Sequence, residues 1–177
     1  GVATGMDFAV ARLTRDGLPD TSFSFDGKTT VAVGSGDATD TSINTIVQSD
    51  GKIVMIGDGP DTAVSGDDSD FKLVRLNTDG TLDTTFSGDG KAYVNFDLGL
   101  TNSDRAPDAV QLSNGKLIVV GSAEVTGEET DFAVARLNVY GLRDTSFDGD
   151  GPLPFHFSTV PTLHTEVAAI RPVATAV

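Results

Sequence analysis

The heptad Asp7-Phe8-Ala9-Val10-Ala11-Arg12-Leu13 recurs without change as Asp131-Phe132-Ala133-Val134-Ala135-Arg136-Leu137, and Asp70-Phe71-Lys72-Leu73-Val74-Arg75-Leu76 stands between them as a variant. The starts are 63 and 61 residues apart. A second element keeps the same spacing: Asp20-Thr21-Ser22-Phe23, Asp83-Thr84-Thr85-Phe86 and Asp144-Thr145-Ser146-Phe147. A third follows as Phe25-Asp26-Gly27-Lys28, Gly88-Asp89-Gly90-Lys91 and Gly149-Asp150-Gly151-Pro152. A fourth stands twice in full, as Gln48-Ser49-Asp50-Gly51-Lys52-Ile53-Val54 and Leu112-Ser113-Asn114-Gly115-Lys116-Leu117-Ile118. Self-similarity held in register is the mark of a repeat architecture. The chain therefore reads as a single array over 1–177, with repeats at about 7–69, 70–130 and 131–177, the third incomplete at its C-terminal end.

Within the heptad, two-residue alternation places Phe8, Val10 and Arg12 on one face of a strand and Ala9, Ala11 and Leu13 on the other, where small side chains let another sheet approach closely. Asp16-Gly17, Asp50-Gly51, Asp79-Gly80 and Asn114-Gly115 supply the positive-φ residue that a tight reversal needs. Strands are expected near 8–13, 28–33, 42–48 and 52–57, four per repeat. Four short antiparallel strands per unit describe a propeller blade. The predicted fold is all-β, a β-propeller-type array of four-stranded antiparallel blades; β-sandwich-like repeats are the alternative. The register at which the array starts and stops predicts two complete blades flanked by two half blades, fewer than the roughly four to eight from which propellers close. Exposed strand edges recruit other strands. The segment is thus expected to pair with the rest of a larger parent polypeptide or with further copies of itself, and Gly1 and Val177 read as cut ends.

These spaced elements resemble the delta-60 repeat, a family of units in large secreted bacterial proteins, and the resemblance covers nearly all of the chain. It implies a β-propeller former at a secreted or cell-surface location, and it brings no catalytic residue set.

Composition narrows the function. With 26 acidic against 12 basic residues, a formal charge of −14 and a pI near 4.2, the chain is repelled by phosphate backbones and anionic lipid surfaces, so no nucleic-acid partner is expected. The absence of cysteine removes disulfides and thiolate metal sites. No stretch approaches the ~18 apolar residues of a membrane helix, so no membrane insertion is expected.

The acidic glycine segments 66–70, 87–90 and 148–151 offer oxygen ligands on a tightly turning backbone, and Asp67, Asp68, Asp89, Asp148 and Asp150 are candidate calcium ligands. No other cofactor is implied. The competing reading is that these Asp side chains only accept backbone N–H bonds within turns, as expected more strongly of Asp20, Asp83 and Asp144. Arg12, Arg75 and Arg136 read as structural partners of a carboxylate on their own or a neighbouring blade, and Phe23, Phe86 and Phe147 as core anchors. His156 and His164 lack a zinc-enzyme spacing and read as ordinary histidines.

No nucleophile elbow, phosphate loop or dinucleotide fingerprint is present. The favoured function is an extracellular structural or binding module that contacts protein or glycan through loops 34–41, 57–69 and 122–130, which vary while the framework repeats. The alternative is a fragment of a carbohydrate-active enzyme on a propeller scaffold, with Asp67, Asp68, Glu128 and Glu129 as its acids. Nothing in the residues supports catalysis directly.

Overall fold

The computed structural model describes residues 5–34, 39–60, 69–96, 103–125, 129–147 and 153–155. These form ten strands: β1 (Phe8–Ala11), β2 (Lys28–Val31), β3 (Thr41–Val47), β4 (Ile53–Pro60), β5 (Ser69–Leu76), β6 (Lys91–Val94), β7 (Arg105–Gln111), β8 (Leu117–Val125), β9 (Glu129–Leu137) and β10 (Leu153–Phe155). They make a two-stranded sheet β1-β2 and two four-stranded antiparallel sheets, β3-β4-β5-β6 and β7-β8-β9-β10. One half blade and two complete blades are therefore seen; the second half blade, expected near 167–171, falls outside the described residues.

Each complete blade straddles a repeat boundary. β3 and β4 come from the end of one sequence repeat and β5 and β6 from the start of the next, so the covalent chain stitches neighbouring units together. β4 carries the apolar run Ile53-Val54-Met55-Ile56, buried on both faces, as befits an inner strand with a sheet packed on either side.

Two cores result. Phe8, Phe23, Val31 and Val33 of the half blade pack against Ile53, Met55, Val74 and Leu76 of the first complete blade. The other face of that blade, with Val54, Ile56, Phe71 and Leu73, packs against Leu117, Val119, Ala133, Ala135 and Leu137 of the second. The expected role of the small face is met at this junction, where Ala133 and Ala135 are buried by the approaching sheet.

Phe8, Phe71 and Phe132 are equivalent in register, for they pair with Val31, Val94 and Phe155, but they differ in burial. Phe8 and Phe71 are fully buried while Phe132 is half-buried. The reason is geometric. Phe8 lies over Gly57 and Phe71 over Gly121, each a glycine on the second strand of the following blade, and among the described residues no such blade follows Phe132. The loops expected at 57–69 and 122–130 are also shorter than the sequence suggests. The β4–β5 ladder runs out to Pro60↔Ser69 and the β8–β9 ladder to Val125↔Glu129, because each added residue pair satisfies backbone groups that a loop would leave to solvent.

Candidate functional site

The repeated charged residues converge on one device. Arg12, Arg75 and Arg136 donate from Nε to Oδ2 of Asp20, Asp83 and Asp144 at 2.9, 2.6 and 2.7 Å. The same guanidinium groups stack over Phe23, Phe86 and Phe147, with the central carbon 4.7, 4.5 and 4.6 Å from the ring centroid. In the second and third copies the lysine of the Gly-Lys hairpin joins, Lys52 at 2.8 Å from Asp83 and Lys116 at 2.5 Å from Asp144. The remaining oxygen of each Asp accepts both the backbone N–H and the hydroxyl of Ser22, Thr85 or Ser146 two residues on.

These carboxylates are saturated with donors, and their proton affinity reflects it. Burial opposes ionisation of Asp83, but the hydrogen bonds from Lys52 and Thr85 and the charge of Arg75 outweigh it and hold the carboxyl well below the usual carboxylate range. Asp144 is depressed in the same way by Lys116, Ser146 and Arg136. Neither group is poised to carry a proton near neutral pH.

The arginines also join blades. Arg12 donates from Nη1 to the carbonyl of Thr78, and Arg75 to that of Val139 at 2.7 Å, each in the turn of the next repeat. Backbone bonds Ser24 N–H to Asp79 O (2.8 Å) and Ser87 N–H to Tyr140 O (2.6 Å) reinforce the contact. Beneath them Phe23 and Phe86 lie against Gly80 and Gly141, whose φ values of 89° and 77° and whose missing Cβ the packing requires. The expected structural role of the arginines is observed, with the carboxylate on their own blade and a backbone carbonyl on the neighbour.

Of the expected calcium ligands, Asp67, Asp68, Asp148 and Asp150 lie outside the described residues, as do Glu128, His156 and His164. Asp89 is exposed, and its Oδ1 accepts the Lys91 N–H at 2.9 Å. The same bond closes the turns at Asp26, Asp50, Asp79 and Asn114. Among the described residues no group of three or more His, Asp or Glu side chains is placed to hold a metal ion. Glu129 begins β9, opposite Val125.

Sequence reading missed a second pair of framework acids, Asp40 and Asp104, which are both buried. Asp40 Oδ2 accepts the N–H groups of Val33 and Gly34, and Asp104 Oδ2 that of Phe96 at 2.8 Å. Lys72, which replaces the alanine found at positions 9 and 133, donates to Asp40 at 2.7 Å and to the Pro60 carbonyl at 2.9 Å. The signal available in the sequence was the 64-residue spacing of two acids at the ends of variable loops.

Between the two complete blades, at the end bearing the Gly-Lys hairpins, lies a cleft of about 290 Å³ whose wall includes Gln48, Lys52, Arg75, Thr85, Gln111 and Tyr140. There Gln48, Gln111 and Tyr140 stand beside the framework residues Lys52, Arg75 and Thr85. Gln48 is only 6% exposed, and neither its amide nor that of Gln111 has a hydrogen-bond partner among the described residues.

No curated protein matches the chain. A family model described as a domain of unknown function (DUF5122) β-propeller matches residues 1–23, 48–86 and 112–147, which together make up more than half of the chain and hold the Arg-Asp-Phe elements of all three repeats. With the blades seen in the structure, this match shows that the chain belongs to the DUF5122 β-propeller family.

Proposed function

We propose that this chain is an extracellular structural and binding module, a segment of a larger secreted or surface bacterial protein built from delta-60 repeats, that contacts protein or glycan at its inter-blade loops. The observation that carries the reading is the use made of the repeated charges. Arg75, Lys52 and Asp83 are bound to one another and to the neighbouring blade, so the groups that recur build the scaffold, and ligand chemistry is left to positions that differ between copies.

The same logic supports the partner. Val74 and Leu76 in the first complete blade are buried against the half blade, and Ala133, Ala135 and Leu137 in the second against the first. The matching face of β1, with Ala9, Ala11 and Leu13, is exposed. A further blade of the same repeat, from the parent polypeptide or from a second copy, is the complementary occupant. Acidic glycine turns at Asp67, Asp68, Asp148 and Asp150 belong to the reading as calcium-stabilised loops.

A pull-down and glycan-array screen with the whole parent polypeptide tests the binding role. Capture of a protein or glycan that is lost when segments 35–38 and 61–68, which leave Asp40 and the β4–β5 ladder intact, are replaced by short Gly-Ser sequences is the expected outcome. A parent that binds nothing in either format removes the reading.

A further inference from the structure

We propose that the cleft between the two complete blades binds one ring of a neutral saccharide, with the Gln48 and Gln111 amides bonding its hydroxyls and the Tyr140 ring covering its apolar face. The inference rests on the binding-module reading and names its ligand class.

Gln48 supplies the first ground. An amide that packing holds at a cleft wall, with no partner within the protein, is free to bond a ligand seated there. Gln48 closes the backbone turn through its main-chain N–H to the Lys52 carbonyl at 2.8 Å, and its side chain, on a residue only 6% exposed, lines the cleft without a hydrogen bond to another described residue. Gln111, on the facing blade, presents a second amide to the same space. Each amide offers two donors and an acceptor with two lone pairs, a set that matches the paired donor and acceptor capacity of adjacent hydroxyls.

Tyr140 supplies the second, from an independent feature. At this turn position the other two copies carry Asp16 and Asp79, and Asp79 holds its turn together by accepting from the N–H and hydroxyl of Thr81 at 3.0 and 2.7 Å. In the third copy that duty passes to Asn138, whose Oδ1 accepts from the N–H groups of Tyr140 and Leu142 at 2.9 and 3.2 Å. The turn is kept while its second position is released to carry an aromatic ring, 60% exposed at the cleft rim. The Ser87 N–H bond to the Tyr140 carbonyl fixes the backbone beneath that ring. An amphipathic aromatic beside a few placed polar groups is the make-up of a small-molecule site.

Charge selects a neutral ligand. Lys52 and Arg75 line the cleft, but both are bound to Asp83, and Asp50 stands at the same wall, so two positive and two negative groups cancel. Size selects a single ring, since about 290 Å³ lies at the lower edge of the roughly 300–1,000 Å³ of small-molecule clefts.

The test is isothermal titration of the chain with glucose, galactose, mannose, N-acetylglucosamine and glucuronic acid at millimolar concentration, repeated with Tyr140→Asp and Gln48→Leu. Tyr140→Asp restores the residue of the other copies, and Gln48→Leu removes the cleft-facing amide at similar volume, so thermal melting should show both variants folded. The expected result is binding of at least one neutral sugar, weakened roughly tenfold or more by either substitution, the scale of one lost hydrogen bond or ring contact. No neutral sugar binding, preference for glucuronic acid, or binding untouched by both substitutions overturns the proposal. The last of these outcomes leaves the binding-module reading standing and moves its site elsewhere; glycan capture by the parent with an inert cleft does the same.

Discussion

The ring edge of Phe71 rests on the backbone of Gly121 in the next blade: a Cβ built at Gly121 would stand 2.5 Å from Phe71 Cζ and 1.9 Å from the carbonyl oxygen of Arg105. Phe8 and Gly57 repeat the relationship one blade earlier, at 2.9 Å, with the Thr41 carbonyl 1.9 Å away. The spacing between blades is therefore set by a side chain meeting a missing side chain. Gly121→Ala forces backbone to move and should destabilise the chain by about 3 kcal/mol, the upper part of the overpacking range. Gly88→Ala meets no neighbouring atom and is strained only by its φ of +92°, for a smaller loss of about 1–2 kcal/mol. Urea midpoints of the two variants check the order; equal losses would show that the blade contact is looser than drawn.

Phe25 is the converse case. It holds φ 67° with its side chain 95% exposed, at the position where the second copy has Gly88. A left-handed backbone costs a residue with a Cβ roughly 1–2 kcal/mol, and exposure returns little of it. Phe25→Gly should raise the melting temperature by a few degrees, as a gain of about 1 kcal/mol does in a chain of this size. A lower melting temperature would mean that the ring makes contacts in solution that offset the strain.

The fold was legible from the heptad because its alternation, its glycine turns and its period all pointed to the same blade. The pairing of Arg75 with Asp83 was legible as a type of contact and less so as a geometry, since spacing alone does not say that Lys52 and Phe86 join it. The difference in burial between Phe132 and its counterparts Phe8 and Phe71 was not legible, because this position is covered by the blade that follows, which no property of the strand itself reports. Gln48 and Tyr140 were invisible as a site for the same reason. They are 92 residues apart in sequence and meet only when blades stack.

Asp83 and Asp144 give the stability a defined acid limb. Their folded-state carboxyls sit below the ordinary range, so the unfolded chain takes up protons first as pH falls. Their contribution is fully present above the unfolded carboxylate value of about 4 and is lost progressively below it. The melting temperature should fall as the pH drops below about 4, and Asp83→Asn should shrink that fall while costing roughly 3 kcal/mol at neutral pH, the low end for breaking a buried pair. An undiminished acid limb in Asp83→Asn would place the linkage in other groups.

Calcium is separable from these turns by melting. Asp89 already satisfies the Lys91 N–H, so its turn should not respond to the ion, whereas ligation by Asp67 and Asp68 or by Asp148 and Asp150 would stabilise the chain in proportion to saturation. The expected outcome of calcium binding is a higher melting temperature in calcium than in chelator, lost in Asp148→Asn/Asp150→Asn or in Asp67→Asn/Asp68→Asn and retained in Asp89→Asn. Identical melting in calcium and chelator would sink it.

The leading face of β1 carries the assembly prediction. Ala9, Ala11 and Leu13 occupy the positions at which Ala133, Ala135 and Leu137 are buried by a preceding blade, and Leu13 is 57% and Leu18 64% exposed. β5 is hydrogen-bonded to strands on both sides, whereas β1 pairs with β2 alone among the described residues. An apolar face and a bare strand edge together favour stacking of a further blade, since wet backbone edges and apolar surface are both relieved by it. The chain should associate as its concentration rises in sedimentation velocity. Ala9→Glu/Ala11→Glu should abolish that association, because two carboxylates would be buried at the new junction without partners, and should leave the monomer within about 0.5 kcal/mol of its stability, as substitutions at exposed positions do. Strictly monomeric behaviour of the unsubstituted 177-residue chain, or a double variant that associates as before, would place the contact surface elsewhere than β1.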